Sequence, residues 1–424
     1  MNNPYSNGLP IDINELPSRK YLLTEAVSRI VYGGSIAIIS SPRLAKTSLL
    51  KYLADTKNRS QLYGEYSEKI IFNLIDCQML PTQLTMGKFW EVAFQPLWEA
   101  YPDEQSINDA LQQCKMEQFD VFSVEKLVGA IRNSGINFVL MLDEFDYLVA
   151  HPDIGKWNFF GALRFLLSHG GLTGIVACRQ PLHKLEGIVS QTSSGSPFFN
   201  LFFTIQVPPF SEEDMRILLE PFGDQLTEID RTFILSASGG HLFLFQTAAS
   251  AIWDTFSSKY DDAEKRRLTA GKQIYRESQH YFSDLWRGWS NDVRKAITSV
   301  ALLQAPYILK NRDINVRDLS KNLPNYFPEL QELTYQGILA QDANTPGGFK
   351  ILQGALLWWM ADELIRTVRD DEQFNEWLTN RQLVGGVFTK DEIGVLAKSA
   401  KFIGQLLEKG SITLIEAYAK GLIQ

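Results

Sequence analysis

Residues 35–50 read SIAIISSPRLAKTSLL. An apolar run, Ile36 to Ile39, delivers the chain to a polar turn, and Lys46-Thr47-Ser48 then open a stretch whose apolar residues recur at helical spacing. A strand, a tight loop and a helix in this order outline a phosphate-binding loop. The usual pattern is Gly, any four residues, Gly, Lys, then Ser or Thr. Here Ser40 stands in the first glycine position and Ala45 in the second, while Lys46 and Thr47 are in place. The residues from Ser41 through Pro42, Arg43, Leu44, Ala45, Lys46 and Thr47 to Ser48 are therefore the candidate nucleotide-binding set. Loop N–H groups and the positive end of the following helix would face the phosphates, Lys46 would add a full charge, and the Thr47 hydroxyl would serve Mg²⁺. Glycine suits such a loop because the turn can require positive φ and because a Cβ crowds the phosphate. If Ala45 has to be left-handed, the strain is roughly 1–2 kcal/mol. That would weaken binding by about ten- to thirtyfold, which a micromolar site survives.

A second stretch, INFVLMLDEFD at 136–146, works the same way. An uninterrupted apolar run of strand length, Phe138 to Leu142, fits a central parallel strand covered on both faces. It ends in Asp143-Glu144, the outline of a Walker B strand. Asp143 is placed to hold Mg²⁺ through water and Glu144 to polarise the attacking water. Further runs, Ile70 to Ile75 ending at Asp76 and Leu172 to Ala177 ending at Cys178-Arg179, alternate with helical stretches. This alternation predicts a doubly wound α/β domain whose ligands sit beyond the carboxyl ends of the strands. Arg179 is placed either to sense a terminal phosphate or to pair with one of the nearby acids.

The stretches SPRLAKTSLLKYL, FNLIDCQ, VLMLDEFDYLVAHPD, FFGALRFLLSHGGLTGIVACRQPL and GSPFFNLF together resemble the ATPase domain of bacterial STAND-type NTPases, AAA-related signal-transduction ATPases. The resemblance spans about residues 17 to 250. It implies an ATPase core, a helical lid, a winged-helix domain and an appended sensor or effector-coupling module. It also implies ATP or ADP with Mg²⁺ as the ligand. Residue by residue, Lys46 and Thr47 match Walker A, Asp143 and Glu144 match Walker B, and Arg179 matches the sensor arginine after the fourth strand. Arg164 stands where related ATPases place an arginine that reaches a neighbouring subunit. The family's later Gly-Gly-His-Pro motif appears as Gly239-Gly240-His241-Leu242, without the proline. Both departures, in the loop and here, fall at nucleotide-contacting positions and bear on turnover more than on fold.

Composition agrees with a multidomain globular chain: 424 residues, 45% hydrophobic and 21% charged. There is no basic-plus-apolar leader and no apolar run of bilayer length, so a membrane is not expected. Cys77, Cys114 and Cys178 are widely spaced and odd in number, which fits reduced thiols in the cytoplasm. The five histidines do not pair with cysteines at zinc spacings.

The predicted layout is a polar lead over 1–16, a P-loop α/β domain over 17–207, a helical lid over 208–285, a winged-helix-like domain over 286–365 and a C-terminal helical module over 366–424. Ser211 followed by three acids reads as a helix N-cap. Gly187 to Gly195 reads as a mobile Ser-rich loop. In the winged-helix-like stretch, helices are expected at 291–303, around 316–322 and around 328–336, followed by a two-stranded wing at 338–341 and 349–352. Nucleic acid is disfavoured as a partner. The segment 286–365 carries eight basic and eight acidic residues, its would-be reading helix holds Glu329 and Glu332 with no cation, and the whole chain has a net charge of −8. The amphipathic helices after Lys390 pack back on their own domain or dock a protein partner, with Trp377 as an anchor. Homo-oligomerisation stays open. Three functions compete: a nucleotide-dependent signalling switch with slow ATP hydrolysis, a pseudo-ATPase scaffold, and an ATP-dependent DNA-binding regulator. Retention of Lys46, Thr47, Asp143 and Glu144 together favours the first.

Overall fold

Five strands with continuous apolar runs build one parallel sheet: β1 (Ile36–Ile39), β2 (Ile70–Asp76), β3 (Asn137–Asp143), β4 (Leu172–Cys178) and β5 (Phe203–Gln206), in the order β2-β3-β4-β1-β5. This computed structural model describes residues 3–5, 16–100, 104–190, 198–257, 262–308, 323–368 and 411–421. Every residue of β1 and β4 is buried, as parallel strands covered by helices on both faces must be. Helices connect the strands, so the architecture is the α/β doubly wound one. Register sets Asp76 beside Asp143 and Ile39 beside Cys178, which brings the carboxyl ends of these strands to a common edge of the sheet. β5 has no legible apolar run: Phe203 and Thr204 are exposed, and of its four residues only Ile205 is buried. The loop expected over 187–195 is corrected in part. Residues Leu182–Ser190 are helical, with Leu185 and Val189 buried on one face, and 191–195 lie outside the described residues.

The chain divides into two units, Pro10–Val207 with the sheet, and Pro208–Gln424 together with Met1–Leu9. The second unit opens with the helix Glu212–Leu218, where Ser211 and Asp214 form a reciprocal capping box. Thr227 and Asp230 form another at Glu228–Ser238. The helices Leu242–Ser257 and Ala263–Gly288 follow, the latter 26 residues long. The expected break at residue 285 falls inside it, and the one at 365 falls inside the helix Gly354–Val368. Between them lie Asn291–Ile308, Phe327–Tyr335 and an antiparallel hairpin of β6 (Leu339–Gln341) and β7 (Phe349–Ile351). The helix expected around 316–322, the one from Lys390 and Trp377 lie outside the described residues.

The helix Ser411–Ala419 packs on its own unit. Leu414 and Ile415 are buried, and the Tyr418 ring meets Trp358 edge-on at 5.1 Å. Gly271 lets this helix approach, since a Cβ there would lie 2.4 Å from a methyl of Ile415. Arg267 fastens the contact: its Nε donates to the Ala419 carbonyl at 2.6 Å and its Nη1 to buried Asp230 at 2.7 Å.

Residues 3–5 of the polar lead are packed on their own unit. Tyr5 stacks on Phe222 at 5.0 Å, meets Trp253 edge-on at 6.0 Å and donates its hydroxyl to the Leu218 carbonyl at 3.0 Å. Asn3 donates to Ser250 Oγ and Asp254 Oδ1, both at 2.9 Å.

Candidate functional site

β1 ends at Ile39, and the loop from Ser40 to Ala45 turns the chain into the helix Lys46–Ala54. Ala45 is the residue before that helix and is left-handed, with φ 67° and ψ 23°. Arg43 also has positive φ, 61°, whereas Ser40 does not. Of the two missing glycines, only the second therefore sits where glycine's freedom matters. Ser40 is instead absorbed into the loop, its Oγ donating to the Ser41 carbonyl at 3.0 Å. The loop's side chains diverge. Arg43 and Thr47 are exposed, Leu44 is buried in the core, Pro42 brings no N–H, and Ser48 is half-buried.

Lys46 is buried, and its Nζ donates to the carbonyls of Ser40 at 3.0 Å and Ser41 at 3.2 Å. Burial holds the Lys46 ammonium below its ordinary range, partly offset by the carboxylates of Glu144 and Asp146. The Thr47 hydroxyl donates to Asp143 Oδ2 at 2.6 Å, joining the first turn of this helix to the end of β3 across 96 residues of sequence. The other Asp143 oxygen accepts the Glu144 N–H at 2.9 Å. The loop after β1, its lysine, and a hydroxyl–carboxylate pair at the carboxyl end of β3 thus converge on one edge of a sheet ordered β2-β3-β4-β1-β5.

The fold is that of a P-loop ATPase.

Thr47 and Asp143 offer hard oxygen donors within hydrogen-bond distance of each other, a donor set suited to Mg²⁺. Glu144 is left-handed, φ 51°, at the start of a short helix, Phe145–Val149. Its carboxylate faces Arg179, whose Nε and Nη2 reach the same oxygen, Oε2, at 2.9 and 2.8 Å. Of the two placements open to Arg179, pairing with a nearby acid is the one seen. Two partners of Arg179 were missed in the sequence. Asp146 Oδ2 accepts its backbone N–H at 2.8 Å, and the Tyr147 ring lies 5.5 Å from its guanidinium carbon. The signal for Asp146 was present, a third acid two residues after Glu144, but only the register of β3 against β4 reveals whom it faces. Burial pushes the Cys77 and Cys178 thiols far up, so both are neutral filler rather than nucleophiles.

Neither a protein-family model nor a curated protein sequence matches the chain. Among solved structures it is similar to the Walker-type ATPase of Pyrococcus abyssi, with 15% identity, 80% of this chain and 95% of that one covered, and a TM-score of 0.49. It is similar also to the ORC2 protein of Aeropyrum pernix in its ADPNP-ADP complexes, with 13% identity, 85% and 97% covered, and a TM-score of 0.47. A STAND protein with a tetratricopeptide repeat sensor from Pyrococcus horikoshii aligns at 12% identity over 91% of this chain and 48% of that one, with a TM-score of 0.32. Likenesses of this degree carry no functional argument, and the fold rests on the strand order and the loop. Among the described residues no helix is long and apolar enough to cross a membrane.

Proposed function

We propose that this chain is a nucleotide-dependent signal-transduction ATPase or switch of a bacterial regulatory or conflict system, STAND-like in kind, that binds ATP or ADP with Mg²⁺ and hydrolyses ATP slowly. One observation carries the reading: the 2.6 Å bond between Thr47 and Asp143 beside the loop that Lys46 anchors. Lys46 neutralises phosphate charge after exchanging its loop carbonyls for phosphate oxygens. Thr47 and Asp143 hold the metal, which when bound supplies charge neutralisation at the phosphates. Glu144 orients and deprotonates the attacking water. Slow turnover follows from the strained Ala45 and from a carboxylate already engaged by a cation.

Calorimetry with ATP and ADP tests the reading. Lys46→Ala removes a charge-assisted contact typically worth about 1.5–3 kcal/mol, so affinity should fall at least tenfold. Equal affinity in wild type and variant, or binding by neither, refutes it. Glu144→Gln should keep ATP and lose about 10²-fold in single-turnover hydrolysis.

The pseudo-ATPase scaffold has one observation in its favour, the Lys46 ammonium satisfied by the loop's own carbonyls. It predicts that nucleotide is held structurally or not at all and that none is hydrolysed. For partners, we propose a protein in the cytoplasm engaged through the helical unit rather than DNA. The even charge of 286–365 and the net charge of −8 support that choice over a DNA-binding regulator.

A further inference from the structure

The parallel sheet has two edges, β5 on one side and β2 on the other. β2 is the longer, seven residues (IIFNLID) against four, and among the described residues it pairs with β3 alone. It holds no lysine or proline, residues that commonly keep a sheet edge from pairing. A cleft of about 570 Å³ lies against it, lined by four consecutive residues, Asn73 to Asp76. Successive strand residues point to opposite faces of a sheet. On one face Phe72 and Leu74 pack with the core. On the other Asn73 donates to the Val92 and Ala93 carbonyls of the helix Met86–Ala93 at 3.0 and 2.7 Å. A cleft that both sets line runs along the edge itself, where alternate residues of β2 turn their N–H and C=O away from β3. Among the described residues no backbone group takes up those outward bonds.

We propose that the free edge of β2 docks an extended, basic peptide segment of a partner protein, which adds a strand to the sheet and sets Lys or Arg side chains against Asp76 and Glu99. In this mode main-chain bonds supply affinity and the groove beside the edge supplies specificity. Four residues of an added strand span roughly 13 Å, the stretch that Asn73 to Asp76 offers. Val92 and Pro96 give the cleft an apolar wall, and Met79, 79% exposed, adds a flexible thioether that adapts to varied side chains. Asp76 and Glu99 are the charged groups of the described lining, with no cation beside them. Charge therefore selects the occupant. A second copy of this chain would bring the same acids to the edge rather than their complement. The surface lies within the P-loop unit, and it stands whether or not the loop after β1 binds nucleotide.

The probe is a short fluorescein-labelled peptide of alternating valine and lysine, titrated against the full chain by anisotropy. It should bind saturably with a Kd below about 1 mM, and the same peptide with glutamate for lysine should not bind. Glu99→Gln and Asp76→Asn should each weaken the complex about two- to fivefold, the range of an exposed ion pair. Asp76→Asn keeps the acceptor that the Gln78 N–H uses, so the turn after β2 is preserved. Bound peptide should slow amide hydrogen exchange at the outward N–H groups of β2. Because alternate N–H groups of a strand face the same neighbour, N-methylation of one set of alternate peptide residues should abolish binding and of the other set should spare it. Absence of binding, or equal binding of the glutamate peptide, overturns the proposal. So does binding that leaves β2 exchange unchanged or survives both N-methylated forms. A chain that dimerises with slowed β2 exchange and ignores the peptide makes the occupant a second copy and overturns it too.

Discussion

At Ala45 the loop keeps a conformation that its residue type opposes. Left-handed backbone costs an L-residue roughly 1–2 kcal/mol, while glycine costs about 0.4–1 kcal/mol through the looser unfolded chain. Ala45→Gly is therefore expected to stabilise the protein by about 0.5–1 kcal/mol in urea titration and to tighten nucleotide. No gain in either would mean that alanine sits there without penalty. Lys46 gives a pH signature. Its folded-state affinity for a proton is lowered by burial relative to the ordinary value of 10.5, so the unfolded chain binds the proton more tightly. Stability should then rise with pH between the depressed value and 10.5, and the cost of the buried charge is fully present below that window. Lys46→Met should flatten this alkaline limb in denaturation curves taken at several pH values; an unchanged limb would place its origin elsewhere. The placement of Lys46, Thr47 and Asp143 was legible because each sits at a fixed offset from an apolar run. The engagement of Glu144 was not, since it depends on a cation 35 residues away brought near by strand pairing.

The elements differ in how openly the sequence declares them. β1, β3 and β4 are central and buried on both faces, so they read as uninterrupted apolar runs. β5 lies at the sheet edge, where only one of its four residues is buried, and edge strands of that length leave no pattern to find. The helix Leu182–Ser190 hides behind a Ser- and Gly-rich continuation that reads as loop. In the helical unit, the helix Ser411–Ala419 takes a hydrogen bond on its Ala419 carbonyl from Arg267, which sequence spacing cannot reveal, and Arg267 is itself paired with Asp230, the two side chains 6% and 1% exposed. Removing one partner of a buried pair typically costs about 3–5 kcal/mol because the other charge is stranded. Arg267→Ala should show that loss in denaturant titration, together with faster proteolysis around 411–419, since the Ala419 carbonyl loses its donor as well. Loss of stability without new cleavage there would show that the helix holds by packing alone.

Across the whole molecule, net charge and the docking of residues 3–5 set two expectations. With a net charge of −8, binding to duplex or single-stranded DNA should be weak and vanish near physiological salt. Submicromolar binding at about 150 mM salt with a steep salt slope would restore the DNA-binding alternative. Tyr5 is 5% exposed, amid Phe222, Phe245 and Trp253. Truncating a buried aromatic typically costs about 3–5 kcal/mol, and a site near a chain terminus that can collapse should show the lower end. Tyr5→Ala should therefore lower the melting temperature of the helical unit, and Tyr5→Phe, which loses only the bond to Leu218, should do so less. Because Asn3–Tyr5 and Ser411–Ala419 belong to the same unit, the P-loop unit is a cassette spliced into a helical host. Fluorophores attached near Asn3 and near Ala419 would therefore sit on one unit, although 416 residues of sequence separate their sites.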